Sequence, residues 1–214
     1  MTAKDCGHHH HDDDHKTVFR RILAALLALV LLAALVILLV FLILRPTKPQ
    51  FILLDATVYA FNQSSPNFLT TTLQVTISSR NPNDRIGIVY DSIDVFATYR
   101  GQQITLPTTL PPTYQGHKDV DVWSPFISGN GVPVAPYVAE AIGEDQVSGR
   151  VMMNVKLNGR VKWKVGSWVS GGYNLFVNCP AYIVFGSNRF NGAGGIPVGS
   201  GVKFQLVQSC HADV

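Results

Sequence analysis

After its first fifteen residues this 214-residue chain contains only two histidines, His117 and His211. It has no Gly-x-Ser-x-Gly elbow, no His-Glu-x-x-His run and no Walker loop, so the common nucleophile, metal-hydrolase and phosphate-cradle arrangements lack their residues. There are three cysteines, and none pair at zinc-ligand spacing. Asp91, Asp94, Asp119 and Asp121 recur at i, i+2 or i, i+3; on a strand the i, i+2 spacing makes a solvated face. Charged residues are 14% of the chain, against about 25% in ordinary soluble domains. The formal net charge of +3 is far from the dense basic field of a nucleic-acid binder. The residues predict no catalytic group, no cofactor, no metal centre and no nucleic-acid partner.

Glycine is concentrated in residues 186–201, but without the fixed spacing and following helix of a phosphate cradle. That segment reads as a hairpin loop.

What the chain has in excess is one apolar run. Ile22 to Leu44 contains no charge, amide or hydroxyl. As a helix it is about 34 Å long, against a hydrocarbon core of about 30 Å. A helix apolar on every side at this length predicts a membrane span. The run exceeds a signal-peptide core and leaves through Arg45-Pro46-Thr47-Lys48-Pro49 with no small-x-small cleavage site, so an uncleaved signal anchor is expected. Lys16, Arg20 and Arg21 precede it; Arg45 and Lys48 follow it. This bias weakly favours a cytosolic N-terminus.

The chain divides into a tail (1–21), the span (22–44), a proline-containing stalk (45–50) and one domain (51–214). The tail carries Cys6 and the run His8–His11, Asp12–Asp14, His15. Such a tract has metal-ligand chemistry, but the expected reading is a solvated tail whose metal affinity is incidental.

Beyond the stalk the apolar period becomes two. Phe51–Phe61 is a strand candidate; Leu73, Val75 and Ile77 alternate with polar residues, as do Ile93, Val95 and Ala97. Arg100-Gly101-Gln102-Gln103 reads as a turn, and Lys118–Trp123 as a strand with Val120 and Val122 inward. Pro136–Gly143 is the one helical candidate of the domain, with Gly143 as its stop. Val151, Met153, Val155 and Leu157 predict a strand that turns at Asn158-Gly159 and returns through Val161, Trp163 and Val165. Tyr173–Val177, Tyr182–Phe185 and Val202–Val207 complete seven or eight strands. The expected fold is a mainly-β antiparallel sandwich of immunoglobulin or fibronectin III type behind a single membrane helix.

Cys179 and Cys210 are the two cysteines after the span. Their even number on an oxidising side predicts a disulfide, with two buried thiols as the alternative. Asn62-Gln63-Ser64 is a glycosylation sequon in an expected loop. Together they favour an extracytoplasmic domain.

Arg80-Asn81-Pro82-Asn83-Asp84-Arg85-Ile86-Gly87-Ile88-Val89-Tyr90-Asp91 resembles the Asn-Pro-Asn…Tyr-Asp motif of the plant late-embryogenesis-abundant type 2 domain. More narrowly, the chain is similar to the harpin-induced, non-race-specific disease-resistance-like proteins. The likeness covers almost the whole sequence: the His/Asp tail, the early anchor, the Tyr99-Arg100-Gly101 turn and the two late cysteines. It implies a plasma-membrane protein of plant defence and stress responses without catalytic residues. Some relatives end in a hydrophobic lipid-anchor signal; Cys210-His211-Ala212-Asp213-Val214 does not match one. The short amides of Asn81 and Asn83 around Pro82 predict an architectural turn.

Two functions fit these expectations: a tethered module contacting proteins or wall polymers at the cell surface, or a lipid-handling module with an apolar groove. Lys156, Arg160, Lys162 and Lys164 surround the expected Asn158-Gly159 hairpin. They are candidates for contact with anionic lipid or acidic wall polymer, or else a solvated edge that discourages aggregation.

Overall fold

The structure is a computed structural model that describes residues 11–44, 46–64, 67–184, 195–196 and 201–214. Residues 1–10 of the N-terminal tail and most of the glycine-rich segment lie outside the described residues. Helix α1 (His11–Leu44) starts inside the His/Asp run rather than at Ile22. Its Thr17–Leu39 portion has a mean hydropathy of 3.4 and is long and apolar enough to cross a membrane. Leu, Val and Ile side chains are exposed all round it, as the composition requires.

Pro46–Val214 forms a separate compact unit. Its strands are β1 (Gln50–Ser64), β2 (Phe68–Arg80), β3 (Gly87–Tyr99), β4 (Gln102–Gln103), β5 (Thr108–Leu110), β6 (Thr113–Gln115), β7 (Val120–Trp123) and β8 (Phe126–Pro133). Helix α2 (Pro136–Ser148) follows. Then come β9 (Arg150–Val165), β10 (Trp168–Val169), β11 (Tyr173–Val184), β12 (Gly195–Ile196), β13 (Val202–Ser209) and β14 (His211–Asp213). All pairings among the described residues are antiparallel. One sheet has β1 and β2 at its centre, flanked by β12 and β13 on one side and by β7 and β8 on the other. The second runs β14-β11-β9-β3, with β4, β5 and β6 along β3 and β10 on β9.

The two sheets share one core. On β2, residues 69 to 79 alternate without exception: Leu69, Thr71, Leu73, Val75, Ile77 and Ser79 are buried and those between are not. On β9, Val151, Met153, Val155, Leu157 and Val161 do the same. Phe51 of the first sheet meets Tyr90 of the second edge-on, at 6.4 Å between ring centroids. The mainly-β antiparallel class is as expected.

Several local expectations are overturned. Asn158-Gly159 is not a turn: β9 runs straight through it, pairing Gly159 with Ile93 on one side and Leu175 on the other. The turn comes later, at Gly166, where φ is 58°, and returns the chain through β10. A Cβ on Gly159 would fall on the Ser92 carbonyl oxygen and 2.9 Å from Ile93 Cα. Here glycine admits a neighbouring backbone, the other reason for glycine in a strand.

Val120 and Val122 point outward, 49% and 55% exposed, while Asp121 and Trp123 are less exposed. Trp123 packs edge-on against Tyr90 at 5.4 Å, and that aromatic contact sets the phase of the strand. Gly143 lies within α2, which ends at Gly149 in the left-handed conformation. Tyr173–Val177 and the start of Tyr182–Phe185 are parts of one strand, β11, which passes through Pro180. β14 covers only Phe176–Asn178 on that strand's other side, so Pro180 lies beyond the ladder in which its missing N–H would matter. The expected seven or eight strands become fourteen among the described residues, because edge segments break into short pieces. Asn62 lies near the end of β1, half-buried and paired with Thr70 and Gly195, not in a loop.

Candidate functional site

The Asn81-Pro82-Asn83 segment links β2 to β3 and is bound internally. Asn81 is fully buried. Its Nδ2 donates to the Ile86 and Gly116 carbonyls at 2.7 and 2.8 Å. Its Oδ1 accepts from the Asn83 backbone N–H and from Asn83 Nδ2 at 3.0 and 2.9 Å. Asn83 Nδ2 also donates to Thr47 O, and Thr47 N donates to Asn83 Oδ1, both at 2.8 Å. Lys118 Nζ donates to the Pro82 carbonyl at 2.8 Å. Every amide atom of the two asparagines is used, which leaves nothing of them for a ligand.

Tyr90 and Asp91 divide at a bulge. The pairing with β9 shifts between Tyr90 and Ser92, so Asp91 is the extra residue. Tyr90 points inward; its hydroxyl donates to Gln115 Oε1 at 3.0 Å and lies 2.8 Å from Ser79 Oγ. Gln115 Nε2 donates in turn to the Ser79 carbonyl. Burial raises the Tyr90 pKa above its usual value. Asp91 turns outward to Lys162, 2.7 Å away.

The Tyr99-Arg100-Gly101 turn has positive φ at both Arg100 and Gly101. It docks α2: Tyr99 OH donates to Asp145 Oδ2 at 2.6 Å. Burial, with the Asp145 carboxylate beside it, pushes the Tyr99 pKa up to about 12.

Cys179 and Cys210 form a disulfide. Cys210 immediately precedes β14, whose His211 then pairs with Asn178 of β11. The bond therefore holds β14 against the edge of the second sheet.

The four basic candidates are brought together, though not at a hairpin tip. Even-numbered residues of β9 point away from the core, so Lys156, Arg160, Lys162 and Lys164 share the outer face of the eight-stranded sheet. Two are engaged locally: Lys162 with Asp91, and Lys164 with the Tyr114 ring at 4.8 Å. No ion pair forms at Lys156 or Arg160 among the described residues.

Around Lys156 the sheet carries residues that sequence reasoning did not single out. Across β9, Phe96 of β3 and Asn178 of β11 flank Lys156, Asp94 and Phe176 flank Asn158, and Ser92 and Asn174 flank Arg160. His211 and Asp213 extend the outer rows onto β14. Phe96, Lys156, Asn158, Phe176, Asn178, His211 and Asp213 line an open hollow of about 310 Å³. Phe176 is 54% exposed. Asp213 is already engaged by Lys48 and His211, both 3.1 Å away. The Lys48 hydrogen bond holds its carboxyl below the usual carboxylate pKa. Asp94 accepts from Thr109 Oγ1 at 2.6 Å. The one trace of this hollow in the sequence is an aromatic at an outward position of a strand; which outward residues become neighbours depends on strand order.

Among the described residues, no group of three or more His, Cys, Asp and Glu side chains is arranged to hold a metal ion. Cys6 and the side chains of the His/Asp tract lie outside them.

The family model described as "Late embryogenesis abundant protein" matches residues 76–179, from β2 through the first disulfide cysteine. NDR1/HIN1-like protein 1 of Arabidopsis thaliana is 54% identical over 178 residues, covering 82% of this chain and 83% of that protein. NDR1/HIN1-like protein 12 of the same plant is 54% identical over 176 residues, covering 82% of each. A crystal structure of a protein from Archaeoglobus fulgidus aligns over 60% of this chain and 95% of that one, at 10% identity and a TM-score of 0.32, too distant to carry an argument. With the Asn-Pro-Asn turn, the Tyr-Asp bulge and the late disulfide in place, the chain belongs to the NDR1/HIN1-like family of late-embryogenesis-abundant type 2 domain proteins.

Proposed function

We propose that this chain is a non-enzymatic, single-pass plasma-membrane protein of plant defence and stress responses. Its extracytoplasmic β domain acts as a contact module. The observation that carries this reading is the outer face of the eight-stranded sheet, where exposed aromatics lie among amides and the cations Lys156 and Arg160, which form no ion pair among the described residues. Elsewhere the prominent polar side chains serve the fold: the Asn81 and Asn83 amides close a turn, and Gln115 and Ser79 satisfy Tyr90. The membrane placement rests on α1 and the family. The outward placement of the domain rests on the disulfide, which persists in oxidising compartments. A glycan on Asn62 would mark the same side.

The test has two arms. Protease added to sealed, right-side-out plasma-membrane vesicles should digest the β domain and spare the N-terminal tail; the reverse pattern overturns the topology. A photoreactive amino acid at position 176 should capture specific adducts at the cell surface, and one at position 122, on the other sheet, should not. Equal labelling from both positions removes the outer face as the contact surface.

A further inference from the structure

We propose that the hollow between Phe96 and Phe176 is a subsite for a carboxylated sugar, and that the outer face of the eight-stranded sheet binds an acidic polysaccharide along β9. This rests on reading that face as the contact surface and names the chemistry it takes.

The first argument is the mixture of groups. A protein-binding core is enriched in contiguous aromatics and depleted in lysine. Here Phe96 and Phe176 stand on opposite sides of β9, with Lys156 and Asn158 between them. Around the hollow the two rings stand apart among polar groups, whereas the exposed apolar residues Met152, Tyr182 and Val184 gather farther along the same face. A pyranose has the matching anatomy: a C–H face that stacks on an aromatic ring, and rim hydroxyls that both donate and accept. Asn158 and Asn178 carry a donor and an acceptor each, which suits adjacent hydroxyls better than any single-function side chain.

The second argument is charge. Of the acids on this face, Asp213 is balanced by Lys48 and Asp91 by Lys162. Among the described residues Asp94 has no ion pair and is held by Thr109. Lys156 and Arg160 outnumber it and form no ion pair among the described residues, so the hollow and its continuation present unbalanced positive charge where a carboxylate would arrive. Lysine serves here as a point charge that needs no bidentate geometry.

The third argument is extent. Lys156, Asn158 and Arg160 succeed one another on the same face at about 6.5–7 Å spacing, with Asn174 beside Arg160. A chain leaving the hollow along β9 therefore passes from one cation to the next across an amide. An extended polymer with a carboxylate on successive units matches this row; a compact soluble anion would use the hollow alone.

The probe is an oligogalacturonate of defined length, offered in calcium-free buffer to the full-length protein in phosphatidylcholine nanodiscs. Its fully methyl-esterified counterpart is the neutral comparison, and phosphatidylserine nanodiscs supply a competing anionic surface. We expect saturable binding that weakens with salt and falls about tenfold or more on esterification, roughly the 1.4 kcal/mol that a tenfold change represents. Lys156→Gln and Phe176→Ala should each weaken binding about fivefold or more, which corresponds to roughly 1 kcal/mol, with melting temperatures unchanged. Lys203→Gln, on the other sheet and paired with Asp55, should not. The proposal is overturned by failure of the acidic oligomer to bind, by indifference to esterification, by indifference to Phe176→Ala, or by recruitment to phosphatidylserine in place of the sugar. Cross-linking from position 176 without oligomer binding would overturn the sugar and leave the contact surface standing; loss of both would overturn both.

Discussion

Asn83 holds Thr47 as a neighbouring strand would, its amide accepting from Thr47 N and donating to Thr47 O, both at 2.8 Å. A side chain thus supplies the two hydrogen bonds of a ladder pair to a stalk residue that follows Pro46 and precedes Pro49. Asn81 holds Asn83 in turn, so turn and stalk form one polar unit.

Asn83→Ala should free the stalk. Loss of the two bonds to Thr47 is expected to lower stability by about 1–2 kcal/mol and to speed amide exchange at Thr47. Exchange mass spectrometry of the parent and the variant gives the answer; unchanged protection at Thr47 refutes the clamp.

Asn81→Ala should cost more, about 2–3 kcal/mol, because the buried Ile86 carbonyl and the part-buried Gly116 carbonyl lose their donor. Pro82→Ala should cost about 1 kcal/mol if the proline acts mainly by restricting the unfolded turn. Denaturant midpoints of the two variants should rank in that order.

Gly159→Ala discriminates between a turn and a strand interior. An added methyl group meets the Ser92 carbonyl and Ile93 Cα, so a loss of about 1–3 kcal/mol is expected from overpacking. A melting temperature equal to the parent's would mean that β3 does not approach β9 as closely as described.

Reducing the Cys179–Cys210 bond, which spans 31 residues, should lower stability by about 3–4 kcal/mol in the chain-entropy account. It should also release β14, which β11 pairs over three residues only. Proteolysis confined to the C-terminus under reducing conditions is the expected pattern.

Asp121 sets a pH dependence. Burial, followed by the nearby Asp119 charge, raises its pKa above the usual 3.8, and its Oδ2 is buried with no partner among the described residues. The folded state therefore binds the proton more tightly than the unfolded chain. The stability this confers is complete below the unfolded pKa and is lost as pH rises through the folded one. Asp121→Asn should melt close to the parent in acid and above it at neutral pH. Melting curves that stay parallel across that range would contradict the assignment.

The sequence by itself determined the features that depend on neighbours along the chain. A run with no polar group from Ile22 to Leu44 has no alternative to an apolar helix. The alternation through Leu73, Val75 and Ile77 put one face of β2 in the core before any partner was known, because successive side chains on a strand point to opposite sides. The cysteines could be matched because two followed the span. Tertiary structure decided whatever depends on which strands meet. Asn158-Gly159 carries the local signature of a hairpin, yet the close passage of Ser92 and Ile93 makes Gly159 a strand interior. Val120 and Val122 look like core residues, but Trp123 is drawn inward to Tyr90 and reverses the phase. The hollow needs Phe96, Lys156, Phe176 and His211 from four strands. Register is a non-local choice made by the packing of the whole sheet, and no window along the chain contains it.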